Sequence, residues 1–226
     1  MRYNIISTGS KGNAVVIGDS ILIDCGVPFS ALKDVYKDIQ LVLLTHIHSD
    51  HFVPSTIRRL HKMRPTLRFS CCEWLVQPLL GCGVSKYNID VLSAGTKYDY
   101  GVFKVAPVAL YHNVPNAGYR LYFGNEKVFY ATDTSTLDGI AAKGYDLYMI
   151  EANYEPEKAV KSINAKKMSG KYSHELKAME NHLSKEDCDD FFNRNKGANS
   201  KLVYLHQHIY SDGDDTYDNI RNDNGI

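Results

Sequence analysis

Leu41-Val42-Leu43-Leu44 runs directly into Thr45-His46-Ile47-His48-Ser49-Asp50-His51, and this junction constrains the chain more than any other stretch. A continuous apolar run of this length reads as a strand. Phe52-Val53-Pro54 follows, where a helix can open. Three imidazoles and a carboxylate within six residues resist explanation as packing, because His and Asp are mostly exposed residues. At this chain's own His and Asp content, H-x-H-x-D-H arises by chance in roughly one such chain per thousand. A strand end that carries it points to metal, and to more than one ion.

Spacing sharpens the point. His46 and His48 are two apart in an extended segment, so both side chains leave the same face and can grip one ion. Asp50 and His51 lie further round the turn and can face a second ion; Asp50 can alternatively orient a bound water. Three later segments share one pattern, a ligand-type residue where an apolar strand ends. Val108-Ala109-Leu110-Tyr111 leads to His112, Val128-Phe129-Tyr130-Ala131-Thr132 to Asp133, and Leu202-Val203-Tyr204-Leu205 to His206. Strand ends gather at one edge of a sheet, so distant residues can converge there. A lone strand-end His is more often structural; four such segments in one chain reverse that prior.

The rest of the chain reads as strands and helices interleaved over 226 residues, which favours one α/β domain spanning 1–226 with a mobile tail after about residue 212. Strands are expected at Tyr3–Ile6, Ala14–Ile17, Ile21–Asp24, Leu41–Leu44, Phe103–Val108, Tyr119–Phe123, Lys127–Ala131, Leu147–Ile150 and Lys201–Leu205. Helices are expected from Pro28 to about Asp38, over Pro54–Met63 and over Glu73–Leu80. A further helix should run from a capping box at Ser184 and Asp187 to about Asn193.

Composition mainly excludes. The 26 basic and 26 acidic side chains cancel, so no global field demands nucleic acid or an anionic membrane. Five cysteines, with no C-x-x-C, no signal peptide and no apolar run long enough to span a bilayer, fit a reducing cytoplasm. Gly9-Ser10-Lys11-Gly12 is not a P-loop and is expected to form a turn near the metal rim. The Lys158–Lys171 segment suits either a polyanionic substrate or a solvated surface. Tyr154 and Tyr172 are candidates for stacking on bases.

From Ser7-Thr8-Gly9-Ser10-Lys11-Gly12-Asn13 and Leu22-Ile23-Asp24-Cys25-Gly26 through the histidine motif to Leu205-His206, the chain resembles the metallo-β-lactamase superfamily. The resemblance implies a four-layer αββα sandwich with a dinuclear site at one rim. Carried over by position, His46, His48 and His112 would hold one metal, Asp50, His51 and His206 the other, and Asp133 would bridge. Glu151-Ala152-Asn153-Tyr154 and Asn181-His182-Leu183-Ser184 resemble elements of the small YycJ-type branch, related to phosphodiesterases and nucleases such as ribonuclease Z. One departure stands out: the chain reads Leu205-His206-Gln207-His208 where that branch tends to have His-Leu-Ser. The last ligand is therefore His206 or His208, with His206 favoured because it directly follows the strand.

What the resemblance implies is a hydrolase of phosphodiester bonds with two divalent ions, zinc or manganese, and a nucleic acid or nucleotide substrate. The leading form is a 5′-to-3′ exonuclease on single strands. A cyclic-nucleotide phosphodiesterase, an ester, thioester or lactam hydrolase, and an inactive metal-binding protein stand as alternatives. His182 is the candidate proton donor or phosphate contact; its bland reading is a hydrogen bond near the Ser184 cap.

Overall fold

The computed structural model describes residues 1–168 and 175–207. His208, Lys171, Tyr172, His174 and the acidic tail lie outside them. Tyr3–Ser7 (β1), Ala14–Ile17 (β2), Ile21–Ile23 (β3), Leu41–Leu44 (β4), Arg68–Cys71 (β5) and Ile89–Val91 (β6) form one six-stranded sheet in chain order. Tyr98–Asp99 (β7), Lys104–Leu110 (β8), Asn116–Phe123 (β9), Glu126–Ala131 (β10), Leu147–Glu151 (β11) and Lys201–Leu205 (β12) form the second. Each sheet begins as an antiparallel meander and ends in parallel strands: β3 to β6 in the first, β10 to β12 in the second. Parallel neighbours need crossovers, and α-helices supply three of the five. Pro54–Met63 (α1) and Val76–Gly81 (α2) serve the first sheet; Pro156–Met168 (α3), Glu175–Asn181 (α4) and Lys185–Asn195 (α5) link β11 to β12.

Strand periodicity of two explains the layering. Val15, Ile17, Ile21, Ile23, Leu41 and Leu43 point into the gap between the sheets, where they meet Val105, Tyr119, Leu121, Val128, Tyr130, Leu147 and Met149. Their neighbours Ala14, Val16, Leu22, Val42 and Leu44 face the other way, against Ile57 and Leu60 of α1. On the far side, Phe129, Ala131, Tyr148 and Ile150 pack on Cys188 and Phe191 of α5. The central strands are apolar on both faces because both are covered. The expected four-layer αββα sandwich is the fold observed.

Local departures have physical causes. The expected helix from Pro28 to Asp38 is instead a short 3₁₀ turn, Phe29–Leu32, followed by further turns. Arg64, far along the chain, donates to the carbonyls of Tyr36 and Lys37. It thereby ties the end of the segment to the residue after α1. Leu32 and Ile39 still reach the core. The expected third helix divides into a 3₁₀ turn, Glu73–Leu75, and α2. The Ser184 cap forms as expected, its Oγ accepting from Asp187 N at 3.0 Å. Strands β5, β6 and β7 and helices α3 and α4 were not expected. Arg68 pairs with Asp90, and Arg59 lies over the Phe29 ring.

Because β3, β4 and β5 are parallel, their C-terminal ends share an edge. The ends of β8, β10, β11 and β12 share the corresponding edge of the second sheet. A hydrogen bond from Tyr119 Oη to the Leu44 carbonyl ties the layers there, one residue before Thr45. Tyr119→Phe removes this tie and leaves a buried carbonyl short of a partner. We expect a loss of about 1–3 kcal/mol in chemical denaturation, with the slope of the transition unchanged.

Candidate metal centre

The site grows from the strand ends upward. Asp24, the residue after β3, takes a left-handed backbone (φ 62°) that returns its carboxylate into the protein. Oδ1 accepts from Thr45 N at 2.9 Å, Oδ2 from Thr45 Oγ1 at 2.9 Å, and Oδ2 also lies 2.7 Å from His51 Nδ1. The Thr45 hydroxyl spends its proton on Asp24 and so accepts from His46 Nδ1, 2.9 Å away. Both rings are thereby fixed in the tautomer that turns Nε2 inward. His112, just beyond β8, is fixed likewise, since its Nδ1 can only donate to the Asn181 carbonyl at 3.0 Å.

Three ring nitrogens now face one another. His48 Nδ1 is 3.1 Å from His46 Nε2 and 3.3 Å from His112 Nε2. The fixed Nε2 lone pairs of His46 and His112 both turn toward His48 Nδ1, and a cation can serve all three nitrogens where one proton serves two. Asp133, after β10, is again left-handed (φ 56°), and Asn116 Nδ2 holds its turn by donating to the carbonyls of Thr132 and Asp133. Its Oδ2 lies 3.2 Å from His46 Nε2 and 2.9 Å from His51 Nε2, while Oδ1 lies 2.9 Å from His206 Nδ1. Asp133 thus stands between two groups of donors.

His206, after β12, is the third left-handed residue at this rim (φ 49°). Thr8 Oγ1 accepts its backbone N–H at 2.8 Å, and Asn153 Nδ2 donates to its carbonyl at 2.9 Å. With Nδ1 committed to Asp133, its buried Nε2 has no hydrogen-bond partner. That atom lies 3.6 Å from Asp50 Oδ2, which is also 3.6 Å from His51 Nε2. An unpartnered buried nitrogen is costly. A cation shared with Asp50 and His51 removes the cost, so the residues present fit a second ion. His46, His48, His112 and Asp133 make one group of donors within 4.8 Å, and Asp50, His51, Asp133 and His206 another.

All seven residues expected as ligands therefore come together at one rim. His182 lies beside them, but its Nδ1 is 3.0 Å from Glu151 Oε2 and takes no part in the Ser184 cap. His61 is elsewhere, on α1, accepting from Ser85 N at 3.3 Å. Glu151, fully buried at the end of β11, had not been singled out alone. It also accepts from the backbone N–H groups of Thr134 and Leu183. Its signal was present, a carboxylate closing the apolar run Leu147–Ile150. Asp24 carries the same signal after β3. The Gly9–Asn13 turn does reach the rim: Asn13 Oδ1 accepts from Gly9 N at 2.9 Å, and Asn13 N donates to Asp50 O at 2.7 Å.

Comparison with known proteins agrees with this geometry. The family model described as the beta-lactamase superfamily domain matches residues 19–185. The chain belongs to the metallo-β-lactamase superfamily. No curated protein matches it in sequence. Among solved structures it is similar to the metallo-beta-lactamase fold protein YhfI from Bacillus subtilis (17% identity, TM-score 0.68, covering 92% of this chain and 86% of that one). It is similar to the short form of human tRNase Z (18%, 0.68, 92% and 93%). It is also similar to a diphosphatase from the PhnP family (15%, 0.64, 91% and 85%). At these identities the likeness is one of fold. No helix among the described residues is long and apolar enough to cross a membrane.

Within this superfamily fold the two donor groups differ electrostatically. Burial pushes His112 down to about 4, and burial together with His46 lowers His48, so both offer free lone pairs. Burial would lower His51 as well, but Asp133 and Asp24 outweigh it and raise the ring to about 10. His206 is raised for the same reason, by Asp133, Asp50 and Glu151. Against burial, the neighbouring imidazoles hold Asp133 well below the usual carboxylate range.

Two outcomes follow from this arrangement. Without ions, the extra proton on His51 stabilises the fold. Because its pKa is raised from 6.5, that contribution is complete below pH 6.5 and is lost as pH rises through about 10. A divalent ion must displace such protons. Calorimetry at pH 7.5 in buffers of different ionisation enthalpy should show roughly two protons released per chain on filling the His51–His206 side. Separately, Gly26 has no room for a side chain: an added Cβ would sit 1.7 Å from Asp50 O and 2.7 Å from Asn13 N. Gly26→Ala should push the Asp50–His51 turn away and lower the bound metal per chain, measured by elemental analysis. Gly81→Ala, with open space around it, should leave metal content unchanged.

Proposed function

We propose that this protein is a phosphodiesterase that depends on two divalent metal ions, zinc or manganese, and acts on nucleic acid, with 5′-to-3′ exonuclease action on single strands as its specific form. The observation that carries this reading is the pairing of a full set of donors with a separate Glu151–His182 couple at the same rim. The names of two similar structures, tRNase Z and a diphosphatase, support phosphate-ester chemistry. The Glu151-Ala152-Asn153-Tyr154 and Asn181-His182-Leu183-Ser184 elements support the YycJ-type branch.

His46, His48 and His112 would hold one ion, Asp50, His51 and His206 the other, and Asp133 both. When bound, such ions supply hydroxide from water at neutral pH and neutralise charge on phosphate oxygens. The chain's own residues do the rest. Asp24, through Thr45 and directly, keeps the Nε2 atoms of His46 and His51 aimed inward. Asp50 is about a quarter exposed, so its carboxylate can orient an incoming water.

A leaving alkoxide needs a proton. Donation of Nδ1–H to Glu151 leaves His182 Nε2 as the atom that delivers it. Burial would raise the Glu151 carboxyl, but hydrogen bonds from His182 and His206 hold it below its ordinary value. It therefore stays ionised and holds the His182 ring through Nδ1.

The test incubates metal-loaded protein with labelled single-stranded DNA, RNA and cyclic nucleotides in parallel. Cleavage of nucleic acid from the 5′ end is expected. Turnover of a cyclic nucleotide alone would reject the exonuclease reading. The role of His182 is tested by the leaving group. His182→Ala should cost about 10²–10⁴-fold on DNA and far less on bis(p-nitrophenyl) phosphate, whose nitrophenolate departs without a proton. Equal losses on both substrates would remove His182 from proton transfer.

A further inference from the structure

Three large side chains stand exposed around the His48–His112 side of the rim. Ile47, between two of the metal-binding candidates, is 41% exposed; Trp74 is 37% exposed; Tyr111, next to His112, is 58% exposed. Trp74 and Tyr111 adjoin donor residues: the Trp74 indole bonds to Thr45, the residue before His46, and Tyr111 precedes His112. Trp74 follows β5, the neighbour of β4, and its indole N–H reaches over to the Thr45 carbonyl at 3.4 Å. The edge of the indole is thus tied to the residue that orients His46, and its flat face is left to offer.

Tyr111 comes from the opposite sheet. Val105 of β8 is buried in the gap between the layers, Ala109 shares its strand parity, and Tyr111 follows the last residue of the strand. Ala109 is already exposed, so the gap opens here. The backbone of Tyr111 is held on both sides: its N–H donates to Thr134 Oγ1 at 3.1 Å, and its carbonyl accepts from Ser135 N at 2.7 Å. A fixed backbone presents an unburied ring. Tyr154, by contrast, is half-buried and its backbone pairs with Ser184, so it is poorly placed for the stacking role considered from sequence.

We infer that Trp74, with Tyr111, forms a subsite that stacks a nucleobase of the substrate beside the scissile phosphate. The inference rests on the phosphodiesterase reading and adds to it the part of the substrate that is recognised. Aromatic faces serve this purpose without reading sequence, because every base has a π-face. The subsite should therefore distinguish a base from no base, and should discriminate little among the four bases.

The test uses single-stranded oligonucleotides that differ only in having a base or a tetrahydrofuran abasic residue next to the scissile phosphate. The readout is the ratio of kcat/KM for the two within each variant. The unmodified protein should favour the base about ten- to a hundredfold. Trp74→Leu should bring the ratio near one, and Trp74→Phe, which lacks the N–H but keeps a ring, should retain most of it. A ratio near one in the unmodified protein, or one that survives Trp74→Leu, overturns the subsite.

Trp74 is the only tryptophan in the chain, so binding can be read without turnover. Metal-loaded protein titrated with adenosine monophosphate should show quenched fluorescence, and ribose 5-phosphate should not quench it. If no oligonucleotide is cleaved, the phosphodiesterase reading fails while this arm still decides the subsite. Equal responses to the two ligands, or none to either, overturn it.

Discussion

One buried carboxylate organises this molecule. Asp24 is wholly shielded from solvent, and a charge in that position survives only if its hydrogen bonds are made. It makes them with Thr45 and His51, the two ends of the segment that carries most of the donors. The same bonds that satisfy the charge set the tautomers of His46 and His51. Structural necessity and chemical orientation are therefore one arrangement. The surrounding backbone reinforces it, since Asn13 N reaches Asp50 O, and Cys25 N reaches His51 O at 2.9 Å.

The rim then divides into unequal parts. On one side burial favours the neutral rings of His48 and His112, each of which keeps one nitrogen lone pair to offer. On the other, Asp133 and its fellow carboxylates hold His51 and His206 as cations. The first part is a set of neutral donors, and the second a set of internal ion pairs that an incoming cation must replace. Asp133 belongs to both, so the state of one side is felt by the other. Left-handed backbone at Asp24, Asp133 and His206 is what turns each of these side chains into the cluster. Asp and His tolerate that conformation better than most residues, though it is uncommon for any residue with a side chain.

Much of this was legible in the sequence, because each donor closes a long apolar run and such runs are the easiest elements to read. Leu41–Leu44, Val108–Leu110 and Leu202–Leu205 each announce the residue that follows. What was illegible depends on distant partners or on brevity. The Pro28–Asp38 segment has the apolar spacing of a helix, yet Leu32 and Ile39 reach the core through a 3₁₀ turn and further turns. Strands β6 and β7 span three and two residues, too few to display alternation. Helix α3 buries only Ala159, so its lysines read as a solvated surface without announcing a helix. The partner of His182 is 31 residues away, and no local pattern could have named it.

The donors come from both sheets, and neither sheet holds a complete set. His46, His48, Asp50 and His51 follow β4; His112, Asp133 and His206 follow strands of the other layer. Between the two halves of the chain lies a loop from β6 to β7, and across the gap lies a shared apolar core. Each half alone is chemically mute. Metal bound at the rim would act as a clasp that closes only after the two layers have docked, which makes competence a property of the assembled sandwich. A chain cut between β6 and β7 would make the centre a reporter of reassociation, silent in either fragment and restored only when the layers find each other.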